Sequence, residues 1–315
     1  MKSKNTLDDP LRIGIDLGGT KIAGVLLGPL DDVLEREHCN TPRDDYGGTI
    51  RAIRQMVDKL DASALRPSSV GVGMPGSIAP QTGLVQNANS TWLNDQPFQR
   101  NLAQALGRPV ACANDANCFV LSETHDGAAV GADSVFGVIL GTGCGGGLIL
   151  RGGLVNGRRN IGGEWGHNPL PWQEPDEIDG PPCWCGKSGC IEAWISGPGL
   201  ERDHWERELG AAPAGILSAE AIVVAAAQGD LRARITLQRH ASRLARSLAH
   251  VVNIFDPDII VLGGGLSSLR HLYEVLPGLM APYIFAADKS IDVRPPKWGS
   301  ASGVRGAARL WDEHQ

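Results

Sequence analysis

Four residues near the middle of the chain have the types and spacing of a metal site. In "GHNPLPWQEPDEIDGPPCWCGKSGCIE", His167, Cys183, Cys185 and Cys190 form the series H-x15-C-x-C-x4-C. Three thiolates and one imidazole suit tetrahedral zinc, and four protein ligands close the metal against water, so the site would be structural and not hydrolytic. A disulfide between Cys183 and Cys185 would close a strained ring, and a redox pair usually has the spacing CxxC. Zinc is therefore favoured over a disulfide or free thiols. It would pin Glu192, two residues past a ligand, while His167 would fix the segment that carries Glu164. A metal-bound imidazole can offer its other ring N–H outward, so Glu164, His167 and Glu192 would form a rigid wall that reads hydroxyls.

A second constellation could move a proton. "PVACANDANC" places Asn114 and Asp115 after a strand and before a helix beginning near Ala116. Phosphoryl transfer to an alcohol needs a carboxylate to accept the hydroxyl proton, with a neighbour to orient the acceptor. Asp before a helix is also a common N-cap, and the two roles are compatible.

Three glycine-rich turns supply the partner for such a base. "DLGGTK" offers Asp16, Gly18, Gly19, Thr20 and Lys21. Without Cβ atoms its backbone N–H groups can converge on phosphate oxygens, and Asp16 could hold a hydrated Mg2+. "GTGCGGG" offers Gly141, Thr142, Gly143, Gly145, Gly146 and Gly147, and "VLGGG" offers Gly263, Gly264 and Gly265. None fits GxxxxGK[ST] or the dinucleotide fingerprint GxGxxG, which disfavours a Rossmann dehydrogenase. One such turn could be a plain hairpin; three, each after a strand, resemble the phosphate and adenosine loops of actin-like, ribonuclease H-like ATPases.

These residues need an α/β scaffold. Short β-branched runs ending in glycine alternate with helical patterns, of which the clearest runs from Asp230 to about Phe255 with Leu237, Ala241, Leu244, Leu248, Val251 and Phe255 along one face. "DPD" at 256–258 should stop it before the next strand. "GIDLGGTKIAGVLL" and "VILGTGCGGGLILRGGLV" both read as strand, glycine turn, strand. The chain has 315 residues, enough for two domains, with 42% hydrophobic and 20% charged residues. A net charge of -6 with dispersed basic residues argues against nucleic acid. The start lacks an apolar signal region and the longest apolar runs are too short for a bilayer, so a soluble cytoplasmic protein without membrane attachment is expected. The first eleven residues read as a disordered extension. Cys39, Cys112, Cys118 and Cys144 lie singly in apolar or glycine-rich surroundings and read as inert small hydrophobes. Trp92, Trp165, Trp172 and Trp184 lie near these motifs and could stack on a sugar, although packing is the plainer role.

Together "DLGGTK", "NDAN", "GTGCGGG", "GEWGH" and "CWCGKSGCIE" resemble the ROK family of repressors and sugar kinases along essentially the full chain. The resemblance implies an actin-like fold, two lobes around a nucleotide and sugar cleft, with ATP and Mg2+ bound there. The lobes would be 12–118, with a C-terminal helix at about 296–315 packing back on it, and 119–295, carrying the zinc loop. Asp115 would be the base; Asn114, Glu164, His167 and Glu192 would contact sugar hydroxyls, with Gly76 of "MPGS" and Asn89 of "NANSTW" lining the same pocket. Cys144 departs from many relatives inside the phosphate loop, with the backbone N–H groups unchanged. "TPRDDY", "NANSTWLN" and "GEWGHNPLPW" look most like bacterial ROK fructokinases, so transfer to the 6-hydroxyl of fructose is the leading expectation. N-acetylglucosamine kinases are the nearest rivals, glucokinases and mannokinases the next. A sugar-sensing regulator is disfavoured, because the first strand begins near Arg12 and leaves no room for a helix-turn-helix, and because "NDAN" is intact. The family also implies a homodimer.

Overall fold

The computed structural model describes residues 11–64, 67–209 and 218–312. Of the extension expected over the first eleven residues, 1–10 lie outside the described residues, but Leu11 is buried and opens the first strand, one residue before the start expected near Arg12. The strands are β1 (Leu11–Leu17), β2 (Lys21–Leu27), β3 (Val33–Asn40), β4 (Ser68–Met74), a short ribbon β5 (Ser77–Ile78) and β6 (Val85–Gln86), then β7 (Ala111–Asn114), β8 (Ser134–Leu140), β9 (Cys144–Leu150), β10 (Gly153–Leu154), β11 (Ile259–Gly263) and β12 (Asp292–Arg294). The helices are α1 (Tyr46–Ala62), α2 (Phe98–Leu106), α3 (Asp115–His125), α4 (Ile191–Ile195), α5 (Gly197–His204), α6 (Ala219–Ala227), α7 (Leu231–Phe255), α8 (Arg270–Met280) and α9 (Ser302–Ala308). Among the described residues, no helix is long and apolar enough to cross a membrane.

Two mixed sheets organise the chain, with orders β3-β2-β1-β4-β7 and β10-β9-β8-β11-β12. Contacts divide the chain into two compact units: residues 1–130, 147–162 and 300–315, and residues 131–146 and 163–299. In the first unit, β1 pairs antiparallel with β2 and parallel with β4, which pairs parallel with β7. Parallel strands leave a sheet at the same end. Asp16 lies opposite Gly73, and Met74 lies opposite Asn114, so the chemistry-bearing residues of "DLGGTK" and "NDAN" share that end.

Ile13, Ile15, Leu17, Val70 and Val72 are fully or almost fully buried, and Ile53, Val57 and Leu60 of α1 pack in the same core. Gly14 and Gly71 are neighbours in register. A Cβ on either would come within 2.0 Å or 1.9 Å of the backbone carbonyls of Val304 or Ala307 in α9. The paired glycines therefore let α9 lie directly on the sheet, and larger side chains would push it off.

In the second unit, β8 and β11 are parallel with Ile139 opposite Gly263. The central helix α7 is capped by Asp230, whose carboxylate accepts from Ala233 N, and stops at Asp256 in the left-handed region at φ 51°. Its buried face includes Ala241, Leu244, Leu248 and Val251, as the helical period predicts, while Leu237 and Phe255 of the predicted face are only half-buried.

Candidate active site

In the first unit, the turn from β1 to β2 is closed by Gly18 N donating to Lys21 O at 3.0 Å. The segment after β3 holds this turn from outside. Thr41 Oγ1 donates to Gly18 O at 2.7 Å, Thr41 N to Thr20 O at 3.0 Å, and Arg43 Nε to Gly19 O at 3.0 Å. Gly19, Thr20 and Lys21 remain exposed. The "TPRD" segment thus positions the loop, a role that its sequence did not announce.

At the same end of the sheet, α3 begins at Asp115, one residue before the predicted start near Ala116. The cap is Asn114, whose Oδ1 accepts from Ala116 N at 2.8 Å, and not Asp115. Asp115 Oδ1 accepts from the same amide at 2.8 Å. Asn114 also donates through Nδ2 to Gly76 O at 3.1 Å, which joins two of the predicted substrate residues. Gly76 packs against Ala88, and the next residue, Asn89, is exposed.

Burial pushes the Asp115 carboxyl above its usual range, partly offset by the Ala116 amide. Burial, and then the nearby charge of Asp115, raise Asp16 to about 7. Two acids close enough to perturb each other at one sheet end form an acceptor for a proton or a cation. Gly303 of α9 lies against Asp16; a Cβ there would be 3.2 Å from Oδ2. That approach, across 287 residues of sequence, has no local sequence signal.

In the second unit, the second and third glycine loops leave the same end of the sheet. Gly141 N donates to Gly143 O at 3.0 Å, and Gly141 O accepts from Gly197 N at 2.8 Å. Thr142 is exposed. Gly145 O accepts from the Trp165 indole at 3.1 Å, and Gly146 is buried. Gly264 has φ +81°, and a Cβ there would lie 2.3 Å from Leu140 O; Gly265, exposed, opens a short 3-10 turn.

The sulfur and imidazole ligands predicted for zinc come together. Their donor atoms all lie within 4.8 Å of one another. Cys183 Sγ is 3.6 Å from His167 Nδ1, and Cys185 Sγ is 3.6 Å from Cys190 Sγ. Zn–S and Zn–N bonds of ordinary length give tetrahedral edges of about 3.8 Å for S···S and about 3.6 Å for S···N. The donor set therefore fits zinc, and the sulfurs are too far apart for a disulfide. The backbone frames the cluster: Ile191 N donates to Asn168 O at 2.9 Å and Leu170 N to Gly189 O at 3.0 Å. Glu164 is half-buried, immediately before the 3-10 turn Trp165–His167.

Glu192 does more than follow a ligand. Its Oε2 accepts from Cys144 N in the second glycine loop at 2.8 Å, and its Oε1 accepts from Trp184 Nε1 in the metal loop at 2.6 Å. Gly143 gives the carboxylate room, since a Cβ there would meet Oε2 at 2.8 Å and displace the end of the Glu192 side chain. The Cys144 amide is thus engaged by a carboxylate.

The segment between His167 and the cysteines has an anchor of its own. Glu177, buried, accepts from Arg243 Nε at 2.7 Å and from Arg246 at 2.8 and 2.9 Å. Arg243 also reaches Asp203 at 2.8 Å and lies 4.4 Å from the Trp194 ring centre. Arg246 donates to Trp172 O at 2.5 Å. Burial alone would push Glu177 upward, but the hydrogen bonds from Arg246 and Arg243 outweigh it and hold it below its usual range.

The remaining tryptophans and cysteines take bland roles. Trp92 donates to Thr49 Oγ1 at 3.3 Å, Trp165 packs edge-on against Phe136, and Trp172 lies against Tyr283. Burial raises the thiols of Cys39, Cys112, Cys118 and Cys144, which makes them poor nucleophiles.

Comparison with known proteins fits this geometry. A model of the ROK family matches residues 12–314. The chain is 37% identical over 306 residues to an N-acetyl-D-glucosamine kinase of Yersinia pseudotuberculosis, covering 94% of this chain and 97% of that one. Its fold is similar to the crystal structure of a ROK hexokinase from Thermus thermophilus, with TM-score 0.82, 31% identity and coverage of 95% and 97%. It is also similar to a ROK family glucokinase from Streptomyces griseus in complex with glucose and AMPPNP, with TM-score 0.77, 28% identity and coverage of 95% and 98%. The chain belongs to the ROK family, and its fold is that of the actin-like ATPases.

Proposed function

We propose that this protein is an ATP-dependent N-acetylglucosamine kinase that phosphorylates the 6-hydroxyl. One observation carries the choice of sugar: near-full-length relatives at 37% identity are N-acetyl-D-glucosamine kinases, which favours that alternative over the fructose expected from "TPRDDY" and "NANSTWLN". Hydroxyl-reading carboxylates do not announce the stereochemistry they read, so motif similarity alone could not separate the two sugars.

In this reading Asp115 accepts the 6-hydroxyl proton as that oxygen bonds to the γ-phosphorus and the bond from phosphorus to the ADP oxygen breaks. Its raised carboxyl moves it toward the operating pH of a general base. Asn114, tied to Gly76 O, orients the acceptor, with Gly76 and Asn89 beside it. Glu164, His167 and Glu192 hold sugar hydroxyls. The turns at Gly18–Gly19–Thr20–Lys21, Gly141–Thr142–Gly143, Gly145–Gly146 and Gly264–Gly265 hold nucleotide phosphates and adenosine through donors not already bonded within the protein, and Asp16 would hold Mg2+, which supplies positive charge to the transferring group. Zinc on His167, Cys183, Cys185 and Cys190 would shape the sugar side without entering the reaction.

The test is an ADP-release assay with Mg2+–ATP across N-acetylglucosamine, fructose, glucose and mannose, run on material whose zinc content is measured. The expected kcat/KM for N-acetylglucosamine exceeds that for fructose by about tenfold or more, the discrimination a few buried contacts supply. A preference for fructose would sink the choice of sugar, and zinc well below one ion per chain would remove the metal.

A further inference from the structure

Trp184 stands between two of the metal-ligating cysteines, where ligation requires nothing of it. Its side chain is exposed to 57%, an unusual place for an indole without a task. The ring stands edge-on over His167, with centroids 4.9 Å apart and planes at 88°. Its Nε1–H donates to Glu192 Oε1 at 2.6 Å, while the other oxygen of that carboxylate accepts from Cys144 N at 2.8 Å. An ionised carboxylate has about four acceptor sites. Two donors on separate oxygens therefore fix its rotation and leave acceptor capacity for hydroxyls.

We infer that Trp184 is a positioning residue for sugar binding: its indole N–H and the Cys144 amide lock the carboxylate of Glu192 in the orientation that receives the sugar. This rests on the sugar-kinase reading above. It goes beyond the metal site, because the hydrogen bond to Glu192 is separable from the ring's contact with His167. Phenylalanine at 184 keeps a ring over the imidazole and deletes the N–H.

Trp184→Phe is expected to raise KM for N-acetylglucosamine about tenfold, the scale of one hydrogen bond to a charged group, with kcat changed less than about twofold. Zinc content stays at the wild-type value. In a Glu192→Gln background the same substitution adds less than about twofold, because the bond it removes has already lost its charged acceptor. An unchanged KM in Trp184→Phe overturns the inference, as does a KM change that appears only together with zinc loss. A 15N–1H spectrum of the indoles provides a readout that needs no turnover. The resonance missing in Trp184→Phe should move in Glu192→Gln, and a stationary resonance overturns the bond itself. Should no hexose be phosphorylated, the functional reading fails, while this spectrum still decides whether Trp184 holds Glu192.

Discussion

Asp16 and Asp115 in one compact unit, and Glu177 and Asp203 in the other, are acids withdrawn from solvent under opposite conditions. Glu177 and Asp203 sit among Arg243, Arg246 and Arg239, with bonds of 2.7–2.9 Å, and the arginines hold Glu177 below its ordinary range. Asp16 has burial and the charge of Asp115 against it, and is pushed up to about 7. The first arrangement is a stabilising frame for the segment that joins His167 to the cysteine cluster. The second stores an electrostatic penalty that a bound cation or a transferred proton would relieve, which is how buried acids mark a working site. Removing an acid should therefore cost stability in one region and activity in the other.

The largest effect is expected at Asp115. Asp115→Asn removes the proton acceptor and should lower kcat about 10²–10⁴-fold, with sugar binding near wild type and the unfolding midpoint at or above it, because the amide also removes a buried charge. Turnover above a few per cent of wild type, measured by ADP release with intact sugar binding, would take the base role away from it. Glu177→Ala should do the reverse. It removes the carboxylate that Arg243 and Arg246 share and leaves them buried with Asp203 and the Trp172 carbonyl among their remaining acceptors, a loss of up to about 3–5 kcal/mol, read in urea unfolding at pH 7. What remains folded should turn over with little change in kcat. A Glu177→Ala protein as stable as wild type would mean that the arginines find other partners and that the frame is dispensable.

The asymmetry also tracks what could be read in advance. "DLGGTK", "NDAN" and the H-x15-C-x-C-x4-C series were legible because each is local or needs residue types with little other use. The hairpin of β1 and β2 and the course of α7 followed from strand and helix periods. The arginine frame was not legible: Glu177 meets Arg243 and Arg246 across 66 and 69 residues, and an arginine on a helix face resembles any solvated charge. The family resemblance implied a C-terminal helix packing back on the first lobe, but its seat on Gly14 and Gly71 was not legible, since a strand glycine does not name the element that will approach it. Register and long-range packing, which decide both, have no local sequence period.

Asp16 gives the finest test of the contrast, through pH. Its folded-state pKa is raised, so between about 4 and 7 the folded state binds more protons than the unfolded chain, and stability falls as pH rises through that window. Glu177 has the opposite sign: its depressed carboxyl contributes stability at neutral pH that is lost as pH falls into the acid range. Asp16→Asn cannot ionise. It should match wild type near pH 4 and exceed it at pH 8 by up to about 4 kcal/mol, the order of the penalty that raising a carboxyl from its ordinary range to about 7 represents. Urea unfolding of both proteins from pH 4 to 8, without divalent cations, reads the gap directly. Adding Mg2+ should narrow it at pH 8, because a cation at the ionised Asp16 offsets the penalty that asparagine removes. A gap that stays constant across the range would mean that Asp16 is ionised in the folded protein without cost, and that the two groups of acids are alike after all.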